Sequence, residues 1–161
     1  MTQAPFAEYR TEVGHDSVDH NGHMGIRSYT RVFDEAVGLF YRHLGLSREA
    51  LDAAGGTIFA LQETSWFKRE AMLGDPLLVA SQLIDRDHNK LVTFHRLHQT
   101  RDGYVAAAYE IVEIHIDAAT RRPAPFAPAM RDRLSEALGV HQALGRPPES
   151  GRGIAIPRKG P

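Results

Sequence analysis

The sequence contains no cysteine among its 161 residues. This absence excludes disulfide bonds, thiolate nucleophiles and every zinc site that needs sulfur ligands, and it fits a reducing compartment. No uninterrupted apolar run approaches the roughly 18 residues of a membrane span, and the N-terminus has no basic start followed by an apolar stretch. We therefore expect a cytoplasmic protein that engages no membrane.

An excess of charge of either sign is also lacking, because 19 basic residues face 20 acidic ones and the formal net charge is −1. Surfaces that bind nucleic acid usually carry a basic excess, so no nucleic-acid partner is expected. The motifs G-x-S-x-G, G-x-x-x-x-G-K-[ST] and G-x-G-x-x-G are missing as well. Their absence disfavours serine hydrolases, P-loop enzymes and dinucleotide oxidoreductases.

The apolar periodicity of the chain predicts one α+β domain. Apolar spacings of three and four over residues 26–44 predict a long amphipathic helix, and Ser47 is placed to cap a second, short helix. Alternating patterns predict strands at residues 6–14, 57–69, 76–86, 90–100 and 104–117. Short polar turns at residues 74–76, 87–89 and 101–103 join the last four strands in succession, which favours antiparallel pairing of each strand with the next. The chain is thus expected to lay one long helix on a mostly antiparallel sheet.

The C-terminal part of the chain is expected to hold a helix and a tail. Apolar residues on one side predict the helix at about residues 128–138, within a domain spanning residues 1–145. Residues 146–161 have the composition of an extended tail, in which Ile154 and Ile156 alternate and could pin the tail to the body or to a neighbouring subunit.

The densest cluster of ionisable side chains lies directly before the long helix, where His15, Asp16, Asp19, His20 and His23 stand in one loop. Free N–H groups in the first turn of a helix can polarise a carbonyl, and a carboxylate just upstream can attack that carbonyl or activate water. Two other interpretations stay open. The loop can be a plain polar connection, or His15, Asp19, His20 and His23 can bind a metal, although no strict metal motif is present.

Two carboxylates interrupt apolar strand faces. Glu63 interrupts the face shared by Thr57, Phe59, Leu61, Ser65 and Phe67. Glu110 interrupts an apolar face of the last strand, where the preceding hairpin brings His95 or Arg96 near as a structural partner. A carboxylate on an apolar face is costly unless it is paired. Glu63 has no obvious local partner, which makes it a candidate functional residue.

The segment Asp19-His20-Asn21-Gly22-His23-Met24 before the helix, followed by Tyr29 and Phe33-Asp34-Glu35-Ala36, resembles the hotdog-fold acyl-CoA thioesterases. The resemblance covers about residues 13–134 and is strongest to the branch related to betainyl-CoA thioesterases. Further matching segments follow in order: Glu63-Thr64, Lys68-Arg69-Glu70, Leu73-Gly74-Asp75-Pro76-Leu77, Phe94-His95-Arg96-Leu97-His98 and Ala124-Pro125-Phe126. The sequence departs from the branch at His20, where Tyr is common, and at Gly25, where Asn often follows the Met.

The resemblance implies that Asp19 is the nucleophile or general base and that Met24, Gly25 and Ile26, at the helix N-terminus, polarise the thioester carbonyl. A thioester suits a lone carboxylate, because its leaving thiol has a pKa of about 8.5 and departs without strong acid help. Glu63 is expected to assist Asp19 or to match a cationic acyl group. The other substrate-binding candidates are Asn21, His23, Tyr29 and Thr64, and the candidates for the phosphates of CoA are Lys68, Arg69, Arg121 and Arg122.

The resemblance also implies a homodimer or homotetramer that acts on an acyl-CoA without a metal or other cofactor, the coenzyme A being part of the substrate. Two alternatives remain. One is a catalytically silent hotdog protein that binds an acyl-CoA or another small ligand. The other is a hydratase-type lyase of the same fold, whose motif of Asp and His in the helix region is not seen here.

Overall fold

The computed structural model describes residues 4–154. Its strands are β1 (Phe6–Glu12), β2 (Gly56–Phe67), β3 (Pro76–Arg86), β4 (Lys90–Gln99) and β5 (Tyr104–Asp117). Its helices are α1 (Ile26–His43), α2 (Arg48–Ala53) and α3 (Pro128–Gln142), with a short 3₁₀ turn at His15–Ser17. The predicted order of elements is confirmed. None of the described helices is long and apolar enough to cross a membrane.

The strands form one antiparallel sheet in the order β1-β3-β4-β5-β2. The turns at residues 87–89 and 101–103 join β3, β4 and β5 as antiparallel neighbours, as predicted. The predicted pairing of β2 with β3 across residues 74–76 is wrong, because β2 pairs with β5 and β3 lies between β1 and β4. β2 is therefore an edge strand, and most of its residues are exposed.

α1 lies on one face of the sheet through its apolar stripe. Phe33 stacks on Tyr109 with ring centroids 5.1 Å apart, and Phe40 meets the buried ring of His95 edge-on at 6.0 Å. Ser81 Oγ and Thr93 Oγ1 lie 2.8 and 2.9 Å from the two ring nitrogens of His95. Complete burial lowers the pKa of His95 to about 3 and keeps the ring neutral.

The structure extends the C-terminal helix beyond its predicted end at residue 138, to Gln142. The last turn is held by His141, which is fully buried and accepts the backbone N–H of Leu83 at Nδ1, 2.9 Å away. An apolar pattern could not reveal this anchor, because the contact is a hydrogen bond to a strand.

The start of the predicted tail covers the sheet face opposite α1. Glu149 pairs with Lys68 and with Arg96, and Glu110 accepts hydrogen bonds from the Ser150 hydroxyl and, at 2.8 Å, from the Gly151 N–H. Residues 148–151 therefore form a turn fixed to the sheet by polar contacts, and the segment is not an arm pinned by Ile154, which is fully exposed. Ile156 lies outside the described residues.

The predicted partner of Glu110 is wrong. Glu110 lies opposite Phe94 in the β4–β5 ladder, the His95 ring points to the α1 face, and the Arg96 guanidinium is paired with Glu149. The C-terminal segment supplies the partners instead, from a distance along the chain that a local hairpin argument does not reach.

A β-bulge in β2 corrects the predicted face of Glu63. Ala60 lies opposite Glu113, whereas Gln62 lies opposite Val112, so the alternation of side chains shifts by one residue at Leu61. Glu63 shares the α1 face with Ser65 and Phe67, but Thr57 and Phe59 point to the other face. The prediction of one continuous face from residue 57 to residue 67 is wrong.

Candidate active site

The loop before α1 fixes the Asp19 carboxylate through backbone hydrogen bonds. The N–H of Asp19 donates to the carbonyl of His23 at 2.9 Å, and the N–H of Gly22 donates to the carbonyl of Asp19 at 3.0 Å. Gly22 has a φ of 81°, a left-handed conformation that favours glycine. Asp19 Oδ1 accepts the N–H of Asn21 at 2.8 Å. Asn21 thus acts on Asp19 through its backbone.

The start of α1 leaves its first-turn N–H groups without a capping side chain. Gly25 occupies the N-cap position in an extended conformation and makes no side-chain cap, and the first turn carries no acidic residue. A Cβ at Gly25 would lie 3.7 Å from Asp19 Cβ, so the carboxylate side chain adjoins the helix start. The positive end of the helix and the Asp19 carboxylate therefore face the same space.

That space is a cavity of about 700 Å³. Asp19, Gly25 and Ile26 line it, together with Ser28 and Arg31. Arg31 was not among the predicted site residues, because its place on the polar side of α1 is typical of a solvated residue.

Arg31 fixes the other acidic residue of the loop. Its guanidinium lies 3.1 Å from Asp16 Oδ2 and 3.0 Å from Ser17 Oγ. The hydrogen bond from Arg31 and its charge lower the pKa of Asp16. Asp16 is thus engaged in a structural pair, whereas Asp19 faces open space.

A second cavity, of about 330 Å³, lies on the other side of Ile26. It brings together six of the predicted residues: His23, Met24, Ile26, Tyr29, Lys68 and Arg69. Phe67 and Glu70 complete it, and neither is among the predicted site residues. The ring of Tyr29 meets that of Phe67 edge-on at 5.2 Å.

His23 lies between two carboxylates. Its Nδ1 is 3.9 Å from Asp19 Oδ1, and its Nε2 is 3.7 Å from Glu70 Oε1. Both distances exceed that of a direct hydrogen bond, so one bridging water or a small shift would connect the groups. Of these two cavities the imidazole lines only the second, and its Nδ1 also lies 3.4 Å from the carbonyl oxygen of Met24.

The four predicted CoA-binding cations lie at two ends of β2. Lys68 is paired with Glu149, and the Arg69 guanidinium lies 4.0 Å from the centre of the Tyr104 ring. Arg121 lies over Phe59, 4.7 Å from the ring centre, in the turn that follows β5, and Arg122 is its neighbour in that turn. Nine residues of strand separate Phe59 from Lys68, or about 30 Å. One chain thus does not bring these two pairs together, and their shared role stays a prediction.

Glu63 and Thr64 lie in the middle of β2, and neither lines the two cavities at the start of α1. Glu63 Oε2 accepts the hydroxyl of Tyr109 at 2.6 Å, and burial together with this carboxylate raises the pKa of Tyr109. Thr64 lies opposite Glu110 and points to the other face of the sheet. The structure therefore gives Glu63 a partner that sequence reasoning did not find.

The metal alternative receives no geometric support. Across residues 4–154, no three His, Asp or Glu side chains come close enough to share an ion. His15, Asp19, His20 and His23 are thus not gathered as ligands, although the expectation that activity needs no metal stays a prediction.

A long helix on a five-stranded antiparallel sheet, with a carboxylate beside the uncapped helix start, defines a protein of the hotdog class. A 1,4-dihydroxy-2-naphthoyl-CoA thioesterase from Synechocystis has the same fold, with a TM-score of 0.72 and 17% identity over 81% of this chain and 96% of that one. The model of the Thioesterase-like superfamily matches residues 13–134. The chain belongs to this family, which confirms the predicted fold and resemblance.

Two relatives match nearly the whole chain. A betainyl-CoA thioesterase from Pseudomonas aeruginosa is 32% identical over 92% of this chain and 94% of its own length. A Staphylococcus aureus protein solved in complex with CoA has a TM-score of 0.88 and 28% identity, covering 98% of both chains. These comparisons confirm the predicted enzyme class, an acyl-CoA thioesterase.

Proposed function

We propose that the protein hydrolyses a small acyl-CoA thioester to the free acid and CoA, with Asp19 as nucleophile or general base and without a metal or other cofactor. The observation that carries this proposal is the Asp19 carboxylate beside the uncapped start of α1, on one cavity of about 700 Å³. The betainyl-CoA thioesterase among the relatives supports a short acyl group.

The proposed reaction uses the two features of this cavity together. The carbonyl oxygen of the thioester accepts hydrogen bonds from the N–H groups of Ile26 and Arg27, and these stabilise negative charge as it develops there. The N–H groups of Met24 and Gly25 already donate to the carbonyls of Ala71 and Ser17, so these two residues are not the donors. Asp19 either attacks the carbonyl carbon, giving a mixed anhydride that water then cleaves, or takes a proton from the water that attacks. In both routes the C–S bond breaks, the electron pair leaves with sulfur, and the thiolate of CoA takes up a proton.

We propose that the active form is a homo-oligomer built on the β2 edge. Phe59, Leu61 and Phe67 are 38%, 54% and 51% exposed on this strand, and its outer backbone groups have no ladder partner among the described residues. If two β2 strands pair antiparallel around Glu63, Phe59 lies opposite the partner subunit's Phe67. Arg121, over Phe59, then comes near the partner subunit's Lys68. This arrangement supports a CoA site built from both predicted pairs of cations.

A hydrolysis screen tests the proposed activity. Acyl-CoA esters that range from betainyl-CoA to short neutral and aromatic acyl groups are incubated with the protein, and the released thiol is measured. We expect turnover with at least one small acyl group, and turnover that persists in the presence of a chelator. Binding of acyl-CoA with no thiol release from any ester would favour the catalytically silent alternative.

A further inference from the structure

A third cavity, of about 490 Å³, lies between the C-terminal half of α1, α2 and β2. Gly38 forms part of its wall, and a Cβ at this position would meet nothing within 4 Å. Glycine inside a helix costs about 1 kcal/mol relative to alanine, and no turn or close contact requires it here. The missing side chain at Gly38 keeps this cavity open.

The cavity contains two buried polar groups without partners. Glu113 and Tyr41 line it and are each only 8% exposed. Neither Glu113 Oε2 nor the Tyr41 hydroxyl has a hydrogen-bond partner in the described part of the chain. Glu63 and Glu110, the two carboxylates singled out in the sequence, are both hydrogen-bonded. An unpaired buried carboxylate is unfavourable, so Glu113 points to a ligand that compensates it.

The charges around the cavity favour a cationic ligand. Asp34 adds a second carboxylate to the lining, and burial together with its charge raises the pKa of Glu113 to about 7. Arg48 is engaged by Asp52 through contacts of 2.9 and 2.8 Å, and Arg42 is exposed to solvent. Within residues 4–154, no ion pair neutralises Glu113. A bound cation would supply the missing opposite charge.

We propose that this cavity binds a small organic ammonium group, with Glu113 as its counter-charge and Tyr41 as its second contact. The carboxylate attracts the positive charge, and the Tyr41 ring and hydroxyl offer an aromatic face and a hydrogen-bonding group beside it. The absent side chain of Gly38 provides the space. Gly38 lies 13 residues after Gly25, so about 20 Å of helix separates this cavity from the proposed Asp19 site of the same chain.

The test measures binding of tetramethylammonium to the full-length protein by calorimetry and by chemical-shift titration. tert-Butanol serves as an uncharged probe of similar size, and sodium chloride matches the ionic strength. We expect saturable binding of tetramethylammonium, no comparable binding of tert-butanol, and a loss of about tenfold or more in affinity for Glu113→Gln.

A second variant separates occupancy of the cavity from folding. Gly38→Leu places a side chain in the open space while leaving the Glu113 carboxylate in place, and it also improves the helix propensity of α1. We expect it to fold and to lose tetramethylammonium binding. Gly139→Leu is the matched control, because Gly139 is also helical and open but lies in α3, away from the cavity. Unchanged binding in Gly38→Leu, or equal binding of tert-butanol, would overturn the proposal.

The ammonium group can belong to a free molecule or, in the proposed homo-oligomer, to the acyl part of a CoA thioester bound at the partner subunit's Asp19, because Asp19 of the same chain is too far away. Hydrolysis rates distinguish these sources. Trimethylammonioacetyl-CoA is compared with its neutral carbon analogue, 3,3-dimethylbutanoyl-CoA. If the group is acyl-borne, the wild type prefers the cationic ester, and Glu113→Gln loses that preference. If it is free, the preference is absent while tetramethylammonium still binds. Asp19→Asn is expected to retain this binding, so failure of the proposed hydrolysis and failure of the cation site give different results.

Discussion

The ammonium of Lys68, at the end of β2, is paired with the carboxylate of Glu149, which lies 81 positions further along the chain. Only 11% of the Glu149 side chain is exposed, and Arg96 also binds it at 3.2 Å. A predicted CoA-binding cation is thus already held by the C-terminal segment. Binding of a phosphate to Lys68 has to compete with this ion pair.

The first prediction concerns that competition. Glu149→Gln removes the negative charge that holds Lys68, so we expect the KM for acyl-CoA to fall by at most about fivefold, the range set by a partly exposed ion pair. Lys68→Met should raise KM while kcat stays unchanged. Glu136→Gln, an exposed change of the same charge on α3, is the control. If neither Glu149→Gln nor Lys68→Met changes the KM for acyl-CoA, Lys68 does not bind CoA.

The second prediction concerns Asp19. Asp19→Asn keeps the shape of the side chain and an oxygen for the N–H of Asn21, but it removes the charge. We expect kcat to fall by about 10² to 10⁴ with little change in KM. Asp16→Asn, which loosens the contacts with Arg31 and the Ser17 hydroxyl, should be nearly silent in turnover. Thiol-release kinetics and thermal melts on both variants check this. Near wild-type turnover in Asp19→Asn would contradict the mechanism.

The third prediction is a stability profile with two opposing slopes. The pKa of His95 drops from 6.5 to about 3 on folding, so the unfolded chain binds more protons, and the free energy of unfolding decreases as pH falls from 6.5 toward 3. The pKa of Glu113 rises from 4.5 to about 7, so its contribution is present below pH 4.5 and is lost as pH rises toward 7. Each slope is at most about 1.4 kcal/mol per pH unit.

Urea unfolding at several pH values separates the two groups. His95→Gln should flatten the dependence of the free energy of unfolding on pH below pH 4.5, where the Glu113 slope is absent. Between pH 4.5 and pH 6.5 the two slopes oppose each other in the wild type, so Glu113→Gln should leave the rise of stability with pH that His95 causes. Identical profiles for the wild type and His95→Gln in acid would show that this buried ring does not set the slope.

The fourth prediction concerns Gly56, the first residue of β2. A Cβ at this position would overlap the ring of His115, which is 3% exposed and held by a 2.8 Å contact between Nδ1 and the carbonyl of Ala124. Because the ring cannot move away, Gly56→Ala should lower the free energy of unfolding by about 1–3 kcal/mol. Gly38→Ala, whose Cβ meets nothing, should be neutral or stabilising by up to about 1 kcal/mol. Urea titrations of both variants measure the contrast.

The fifth prediction concerns the β2 edge. We expect sedimentation equilibrium at micromolar concentration to give at least twice the chain mass of 17.9 kDa. Leu61→Lys places a charge at the bulge of this exposed strand and should shift the population toward the monomer. A wild type that sediments as a stable monomer would contradict the proposed assembly.

The sequence predicted the elements well where periodicity had a single cause. The apolar stripe of α1 reflects burial of one side of the helix, and the turns between β3, β4 and β5 reflect local backbone preferences. Both signals lie within a short stretch of sequence. The loop around Asp19 was found for the same reason, since its residues are neighbours in the chain.

Sequence reasoning failed where distant segments decide the environment. β5 is a central strand, covered by α1 on one face and by residues 146–151 on the other, so both of its faces are largely buried. Alternation therefore could not single out Glu113 or find the partners of Glu110. The bulge at Leu61 likewise leaves no mark in the alternating pattern, because one extra residue changes the face without changing the composition.

The attachment of residues 149–151 to the sheet has a consequence for synthesis. Glu149 is synthesised after every strand, so any pairing of β2 with β5 that precedes it leaves Lys68 and Glu110 without these partners. The face opposite α1 is covered only when residues 149–151 are present, through charged and polar contacts. A nascent chain that stalls before residue 149 would expose this face, and its earliest interactions would be with whatever anions and chaperones surround it.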